Sequence, residues 1–357
     1  MKINRKEYRT TIIIGAGASR GAISSIKPGN IRLPLNRDYF DMLARFVKIE
    51  GGQANKNSFS RLISFVNETF LISQHYPTME DVFNVLFMSK DIPEIFKKSR
   101  GRTRKPGHRI EIKDFISLLI KLFIYIQSNH YQKKRKKSTN HYEKLVARLS
   151  GKDTLISLNY DTLLDVELCN FGWTPELGYG FEARSKIKYD DIHRKPLADM
   201  NQVRLLKPHG SLNWFAKGKM SKLDDVLSRR PPSKIIMSRV PRAYNIKRER
   251  LIRFFIPPLY TKFFNNKFWK GLWRRCYVSL KDAECLIFLG CSLTATDYHL
   301  SAILSRVTKE RKKEKFKKII IVNKSKKTVK RIKSLLRGCS KGGYADHKTF
   351  AEFSKSL

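Results

Sequence analysis

Five short stretches of this 357-residue chain bring together residue types that could do chemistry. In the first, Gly15, Ala16, Gly17, Ala18 and Ser19 follow a β-branched run. Glycines there would let the backbone approach a pyrophosphate, with amides of the turn and the Ser19 hydroxyl donating to phosphate oxygens. The third glycine of the dinucleotide fingerprint is missing, so the stretch also fits a tight strand-to-helix turn. In the second, Asn159 and Asp161 flank Tyr160. An extended backbone would aim the amide and the carboxylate one way and the tyrosine the other, unless one of them caps the helix that follows. In the third, His209 sits between Pro208 and Gly210. Proline restricts the residue before it and glycine frees the backbone after, which fixes the angle of an imidazole at a strand end. No metal-spaced partner is near in sequence, so proton transfer suits this histidine better than ligation. Gly290, Cys291, Ser292 and Leu293 form the fourth stretch, and Ile321, Val322 and Asn323 the fifth.

Each stretch follows an apolar run of strand character. The runs at 10–14, 154–158, 285–289 and 318–322 end in glycine or polar residues, as strands of a parallel sheet do when their carboxyl edge holds a ligand. Residues 162–168 carry apolar positions at helical spacing. The expected fold class is therefore α/β, a Rossmann-like parallel sheet with helices on both faces, plus a helical insertion. The insertion, 47–148, has helix-period apolar positions and no convincing strand. Thr78, Met79, Glu80 and Asp81 form a capping box ahead of Val82, Phe83, Leu86 and Phe87, and 115–126 suits a helix buried on most sides. Residues 1–46 and 149–357 then make one discontinuous domain. Within it, 217–250 is a basic stretch with Pro231, Pro232 and Pro241 and little periodicity, expected to be irregular.

The charge is the outlier of the composition. Lys and Arg number 73 against 31 Asp and Glu, a formal charge of +42. From 309 to 341 there are fifteen Lys or Arg against Glu310 and Glu314, and two further basic loops lie at 97–109 and 133–137. Such runs read as a contact surface for a polyanion, nucleic acid or an acidic protein, or else as solvated surface. No sequence-reading motif accompanies them, so nucleic-acid contact would be non-specific, to the backbone. The five cysteines, Cys169, Cys276, Cys285, Cys291 and Cys339, include no C-x-x-C pair, which argues against a disulfide framework and a zinc ribbon and for a reduced, cytoplasmic setting. No metal site is expected. The apolar run at the start is too short for a signal peptide, and 115–126 is too short for a membrane span and is broken by Lys121.

Taken in order, G15-A-G-A-S19, S157-L-N-Y-D161, K207-P-H-G-S211, G290-C-S-L293 and I321-V-N323 resemble the motifs of the sirtuin superfamily. The set is most similar to the sirtuin-like NAD hydrolases of prokaryotic anti-phage defence. The resemblance implies that NAD is the substrate. Gly15, Ala16, Gly17 and Ser19 would hold its pyrophosphate, with Gly290 and Ser292 holding phosphate from the opposite side and Asn323 meeting the adenosine ribose. Asn159 would hold the nicotinamide ribose or a water at its anomeric carbon, Asp161 would orient the nicotinamide end, and His209 would be the base on a ribose hydroxyl. The chain departs from protein-deacylating sirtuins in lacking the four-cysteine ribbon, which favours water over acyl-lysine as acceptor. What the resemblance implies is an NAD glycohydrolase acting as a NAD-depleting defence effector. Homo-oligomerisation, or a partner such as a DNA-translocating ATPase or a short Argonaute, would activate it. The alternative is a non-catalytic module that binds nucleic acid or a partner and senses NAD or ADP-ribose. An NAD-dependent protein deacylase ranks third.

Overall fold

The structure, a computed structural model, describes residues 8–70, 76–91, 112–133, 140–181, 186–190, 192, 199–217, 232–239, 251–257, 266–294 and 297–357. The chain divides into two units, Met1–Ser24 with His130–Ile256 and Phe263–Leu357, and Ser25–Asn129 with Pro257–Lys262. In chain order, β1 (Thr10–Ile14) and α1 (Ala16–Ala22) open the first unit. The second unit holds α2 (Tyr39–Glu50), α3 (Gln53–Thr69), α4 (Met79–Asp91) and α5 (Ile112–Lys133), although the last turn of α5 belongs to the first. Next come α6 (His141–Val146), β2 (Thr154–Ser157), α7 (Leu163–Asn170), α8 (Pro175–Gly178), β3 (Lys186–Asp190), β4 (Arg204–Leu206), β5 (Gly210–Lys217), β6 (Lys234–Ser238) and β7 (Leu251–Phe255). The chain closes with α9 (Lys267–Asp282), β8 (Cys285–Leu289), α10 (Tyr298–Glu310), β9 (Lys318–Val322), α11 (Lys326–Leu335), β10 (Tyr344–His347) and α12 (Phe350–Lys355).

Six strands form one all-parallel sheet in the order β10-β9-β8-β1-β2-β4. The runs TTIII and CLIFL, buried at every position, explain why: a strand without a polar face must be covered on both sides. On one side Ile13, Phe288 and Ile321 pack with Leu280 of α9, Leu300 and Leu304 of α10 and Ile332 of α11. The alternating residues Ile12, Ile14, Ile287 and Ile320 face the other way and are just as buried. Helices α1, α6, α7 and α12 contact one another in series. The expected α/β fold is the observed one, and its order reverses at β1. The chain lays β2 and β4 to one side of β1 and β8, β9 and β10 to the other, so the carboxyl ends of β1 and β8 border the topological switch point.

Two features depart from expectation. The sheet has two more strands than the four apolar runs announced. One of them, β10, reads Tyr-Ala-Asp-His; as an edge strand it needs only one neighbour and no continuous apolar run. The stretch 217–250, expected to be irregular, contains β6, whose Ile235, Ile236 and Met237 are buried. With β3, β5 and β7 it builds a second sheet in the order β3-β6-β5-β7. Residues 218–231 and 240–250 lie outside the described residues, as do 97–109 and 134–137 of the basic loops.

In the second unit the capping box forms. The Thr78 amide and hydroxyl both donate to Asp81 Oδ2, at 2.8 and 2.7 Å, and the Asp81 amide donates back to Thr78 Oγ1 at 3.2 Å. In α5, Phe115, Leu118, Leu119, Leu122 and Ile126 are buried while Lys121 is exposed and donates to Asn55. Among the described residues no helix is long and apolar enough to cross a membrane.

Candidate active site

The turn after β1 and the turn after β8 are built as one piece. The Gly15 amide donates to Leu289 O at 3.0 Å and the Gly17 amide to Gly290 O at 3.1 Å. A Cβ at Gly15 would lie 2.6 Å from Cys291 Cα, one at Gly17 2.8 Å from Gly290 O, and one at Gly290, where φ is +59°, 2.1 Å from the Ala18 amide nitrogen. These glycines are therefore required by two backbones that touch each other. The space behind Gly15 and Gly17, expected to receive a pyrophosphate, is filled by the 290–291 backbone; Ala16 and Ser292 are the exposed positions of the pair of turns. Asn323 ties in the third turn, its amide donating to Cys291 O at 2.9 Å and its Oδ1 accepting from the Ser325 amide at 2.9 Å. Cys291 is buried, and burial pushes its thiol up to about 12, so it remains protonated and poorly nucleophilic.

Next to this edge, the loop after β2 forms a buried polar cluster. Asn159 commits both amide hydrogens inward, to Gly15 O at 3.0 Å and to Ser19 Oγ at 2.8 Å, which leaves Oδ1 as its remaining hydrogen-bonding group. Ser19 also bonds the Tyr142 hydroxyl at 2.9 Å and the Asp161 carboxyl. Asn159 and Asp161 thus share one partner, while Tyr160 turns away to donate to Ile256 O at 2.8 Å. Asp161 has a capping role as well, its Oδ1 accepting from the Leu163 amide at 3.2 Å. Burial raises the Asp161 carboxyl above its ordinary range, against the opposing pull of Lys207 and of the Ser19 bond. Ser19, 2% exposed and bonded on several sides, is a hub of this cluster and not a free donor at its surface.

His209 belongs to the neighbouring strand end, since β2 pairs with β4. The turn is closed by the Gly210 amide donating to Lys207 O at 2.9 Å, and Gly210 takes φ of +79° with Phe255 Cα only 2.5 Å from where a Cβ would stand. His209 O accepts from the Ile256 amide at 2.8 Å. The imidazole is 4% exposed and meets the Trp273 indole edge-on, with centroids 5.9 Å apart; that indole stacks on His299 at 5.6 Å. Lys207, fully buried, donates to Asp161 O at 2.7 Å and to both Asp165 oxygens at 3.0 and 3.2 Å. One ammonium therefore joins the loop that carries Asn159 and Asp161 to the turn that carries His209. Asp165 also accepts from the Tyr179 hydroxyl, which receives a bond from Asn213 at 3.0 Å.

The structure accordingly brings Gly15, Gly17, Gly290, Asn323, Ser19, Asn159 and Asp161 into one bonded group, with His209 connected through Lys207. Sequence reasoning missed Lys207, Asp165, Tyr142 and Trp273. A signal for the first two was present, because Asp165 and Glu167 interrupt the otherwise apolar helix 163–169, and carboxylates at buried helical positions require a partner. Nothing in the sequence marks Tyr142 or Trp273. A cleft of about 420 Å³ lies on α11 and another of about 310 Å³ in the second unit. Neither is at the carboxyl edge, so the site is located by bonding and topology.

Residues 153–340 match the SIR2-like domain, which is more than half of the chain. The chain belongs to the SIR2-like family. The match takes in the motifs at Asn159, His209, Gly290 and Asn323 and begins after the Gly15 turn, so that turn is tied to the family region by its bonds to Leu289, Gly290 and Asn159. A solved structure of a Sir2 mutant with a p53 peptide and NAD aligns with 98% of this SIR2-like chain and 92% of its own length, at 13% identity and a TM-score of 0.34. No curated protein matches the chain. Among the described residues no group of three or more His, Cys, Asp or Glu could hold a metal ion.

Proposed function

We propose that this SIR2-like chain is an NAD glycohydrolase, cleaving the nicotinamide–ribose bond of NAD to nicotinamide and ADP-ribose with water as the acceptor. The observation that carries the reading is the bonded group at the switch point, where the Gly15, Asn159, His209 and Gly290 turns converge on one sheet edge. The pyrophosphate would lie over Ala16 and Ser292, the exposed positions of the two turns, beside half-buried Gly17, with Asn323 beside the adenosine ribose. As the glycosidic bond breaks, its electron pair leaves with nicotinamide and the ribose becomes oxocarbenium-like. Asn159 Oδ1, the negative end of a dipole whose hydrogens are anchored inward, stabilises that cation. His209 accepts a proton from a ribose hydroxyl, water adds at the anomeric carbon, the proton that the added water sheds restores that hydroxyl, and His209 releases its own to solvent. Water is favoured over acyl-lysine because the cysteines offer no paired spacing for the deacylase ribbon.

In the cell the enzyme would deplete NAD as an effector of anti-phage defence, in the cytoplasm, switched on by assembly with itself or with a defence partner. The test is chromatography of NAD products from wild type, Asn159→Ala and His209→Ala, alone and with a co-expressed partner. Positioned proton transfer is worth roughly 10²- to 10⁴-fold, so His209→Ala should lose that much turnover while NAD binding by calorimetry survives. Equal turnover in all three proteins overturns the roles. Binding of NAD or ADP-ribose without any turnover selects the sensor reading, and strict dependence on an acyl-peptide selects the deacylase.

A further inference from the structure

A hydrolase acting on a small dinucleotide does not explain where this chain puts its charge. Helix α11 turns Thr328 and Ile332 into the core and presents Lys327, Lys330, Arg331 and Ser334 at i, i+3, i+4 and i+7, one continuous outer face. These four residues and Leu335 line the cleft of about 420 Å³. Among the described residues no carboxylate pairs with Lys327, Lys330 or Arg331, and Asp346 bonds Lys333. Exposed Lys326 opens the helix, and exposed Lys324, Arg337 and Lys341 extend the same sign beyond its two ends. From Lys327 to Arg331 the helix rises about 6 Å, and a duplex strand carries one phosphate per roughly 3.4 Å of its axis. The three cations therefore fall within reach of about two to three successive phosphates. The cleft lining contains no aromatic ring on which an unpaired base could stack.

We infer that the outer face of α11 is a docking surface for the phosphate backbone of a DNA duplex, read by charge and not by sequence. The charge run was visible in the sequence; the unpaired cations on one helix face and the lining without an aromatic ring favour a paired phosphate backbone over a single strand. The inference is independent of the hydrolase reading, and its test reads no NAD chemistry.

Fluorescence anisotropy with a labelled duplex of arbitrary sequence, titrated at several salt concentrations, would compare wild type with Lys327→Glu/Lys330→Glu/Arg331→Glu. A control of equal charge change, Arg32→Glu/Lys48→Glu/Lys56→Glu, alters exposed positions of the second unit. The α11 variant should bind at least about tenfold more weakly at low salt. It should also flatten the log–log salt slope by about 2.7, at 0.9 for each of three contacts, while the control changes far less. Equal losses in both variants would mean diffuse attraction to the whole basic chain and would overturn the assignment. Binding of polyglutamate of matched charge as tightly as the duplex would overturn it in favour of an acidic protein partner. Melting curves accompany each protein, and if the glutamate variant is unfolded, the corresponding glutamine triple replaces it with the same expected order of affinities.

Discussion

Lys207 has no exposed surface, and its ammonium is held by three oxygens, two of them from Asp165. Removing one member of such a pair strands the other charge away from water, which costs about 3–5 kcal/mol, whereas replacing both with apolar groups costs far less. In urea denaturation Lys207→Met should lose stability in that range, and Lys207→Met/Asp165→Leu should recover most of it; strictly additive losses would show that the pair does not act as a unit. Asp161 gives a test with a sign. Burial raises its carboxyl above the 3.8 of an unfolded chain, so the native state binds the proton more tightly. Stability must then fall as pH rises from the unfolded value through the raised native one, with the cost fully present above it. Asp161→Asn retains an acceptor for the Leu163 amide and removes the charge. Its stability relative to wild type should increase between about pH 4 and pH 7, and a constant difference across that range would mean that Asp161 is not desolvated in the native state. The role proposed for Asp161 at the nicotinamide end would account for a carboxylate kept at a cost in stability.

The elements explain why glycine variants test the fold before they test a ligand. Gly290 combines φ of +59° with an approach of 2.1 Å to the Ala18 nitrogen, so Gly290→Ala carries both backbone strain and a clash with backbone that cannot move aside. A loss on the order of 3 kcal/mol is expected, read as a lowered denaturation midpoint. Gly17→Ala should fall in the same direction by less, since its Cβ would meet Gly290 O at 2.8 Å. Near-wild-type midpoints in both would mean that the two turns can part. The same elements mark how far the sequence could be read. Strands β1, β8 and β9 announce themselves as unbroken β-branched or apolar runs because both of their faces are covered, and the capping box of α4 is a local pattern that needs no tertiary knowledge. By contrast, β4 has three residues with Arg204 exposed, and β6 follows a proline pair in a lysine-rich stretch, so each becomes a strand only through its neighbours. The site divides in the same way. Asn159 and Asp161 stand at a strand end that the sequence reveals and His209 in a Pro-His-Gly turn that it also reveals, whereas the Ser19 hub and the Lys207 link depend on pairs separated by 140 and 42 residues.

For the molecule as a whole, two electrostatic effects oppose each other, and the composition decides which is larger. A formal charge of +42 makes the folded state repel itself, because folding brings cations closer than they are in an expanded chain. Among the described residues the surface ion pairs that could offset this, Arg45–Asp41, Arg61–Asp114, Arg306–Glu310, Lys317–Glu284 and Lys333–Asp346, are all partly or well exposed, and such pairs contribute about 0–1 kcal/mol each. With 31 acids for 73 bases, most cations have no acid to pair with at all. Salt weakens both effects, since charges farther apart than about 10 Å are screened at 0.1 M, but the repulsion is spread over many distant pairs and loses more. The melting temperature should therefore rise as sodium chloride increases from low to moderate concentration, by roughly 1–2 °C for each kcal/mol of repulsion relieved. Sodium chloride is the suitable probe because sulfate or phosphate would also strengthen apolar burial. A melting temperature that falls with added salt would mean that the few ion pairs outweigh the excess charge, and the basic faces would then have to be neutralised within the molecule rather than by a partner.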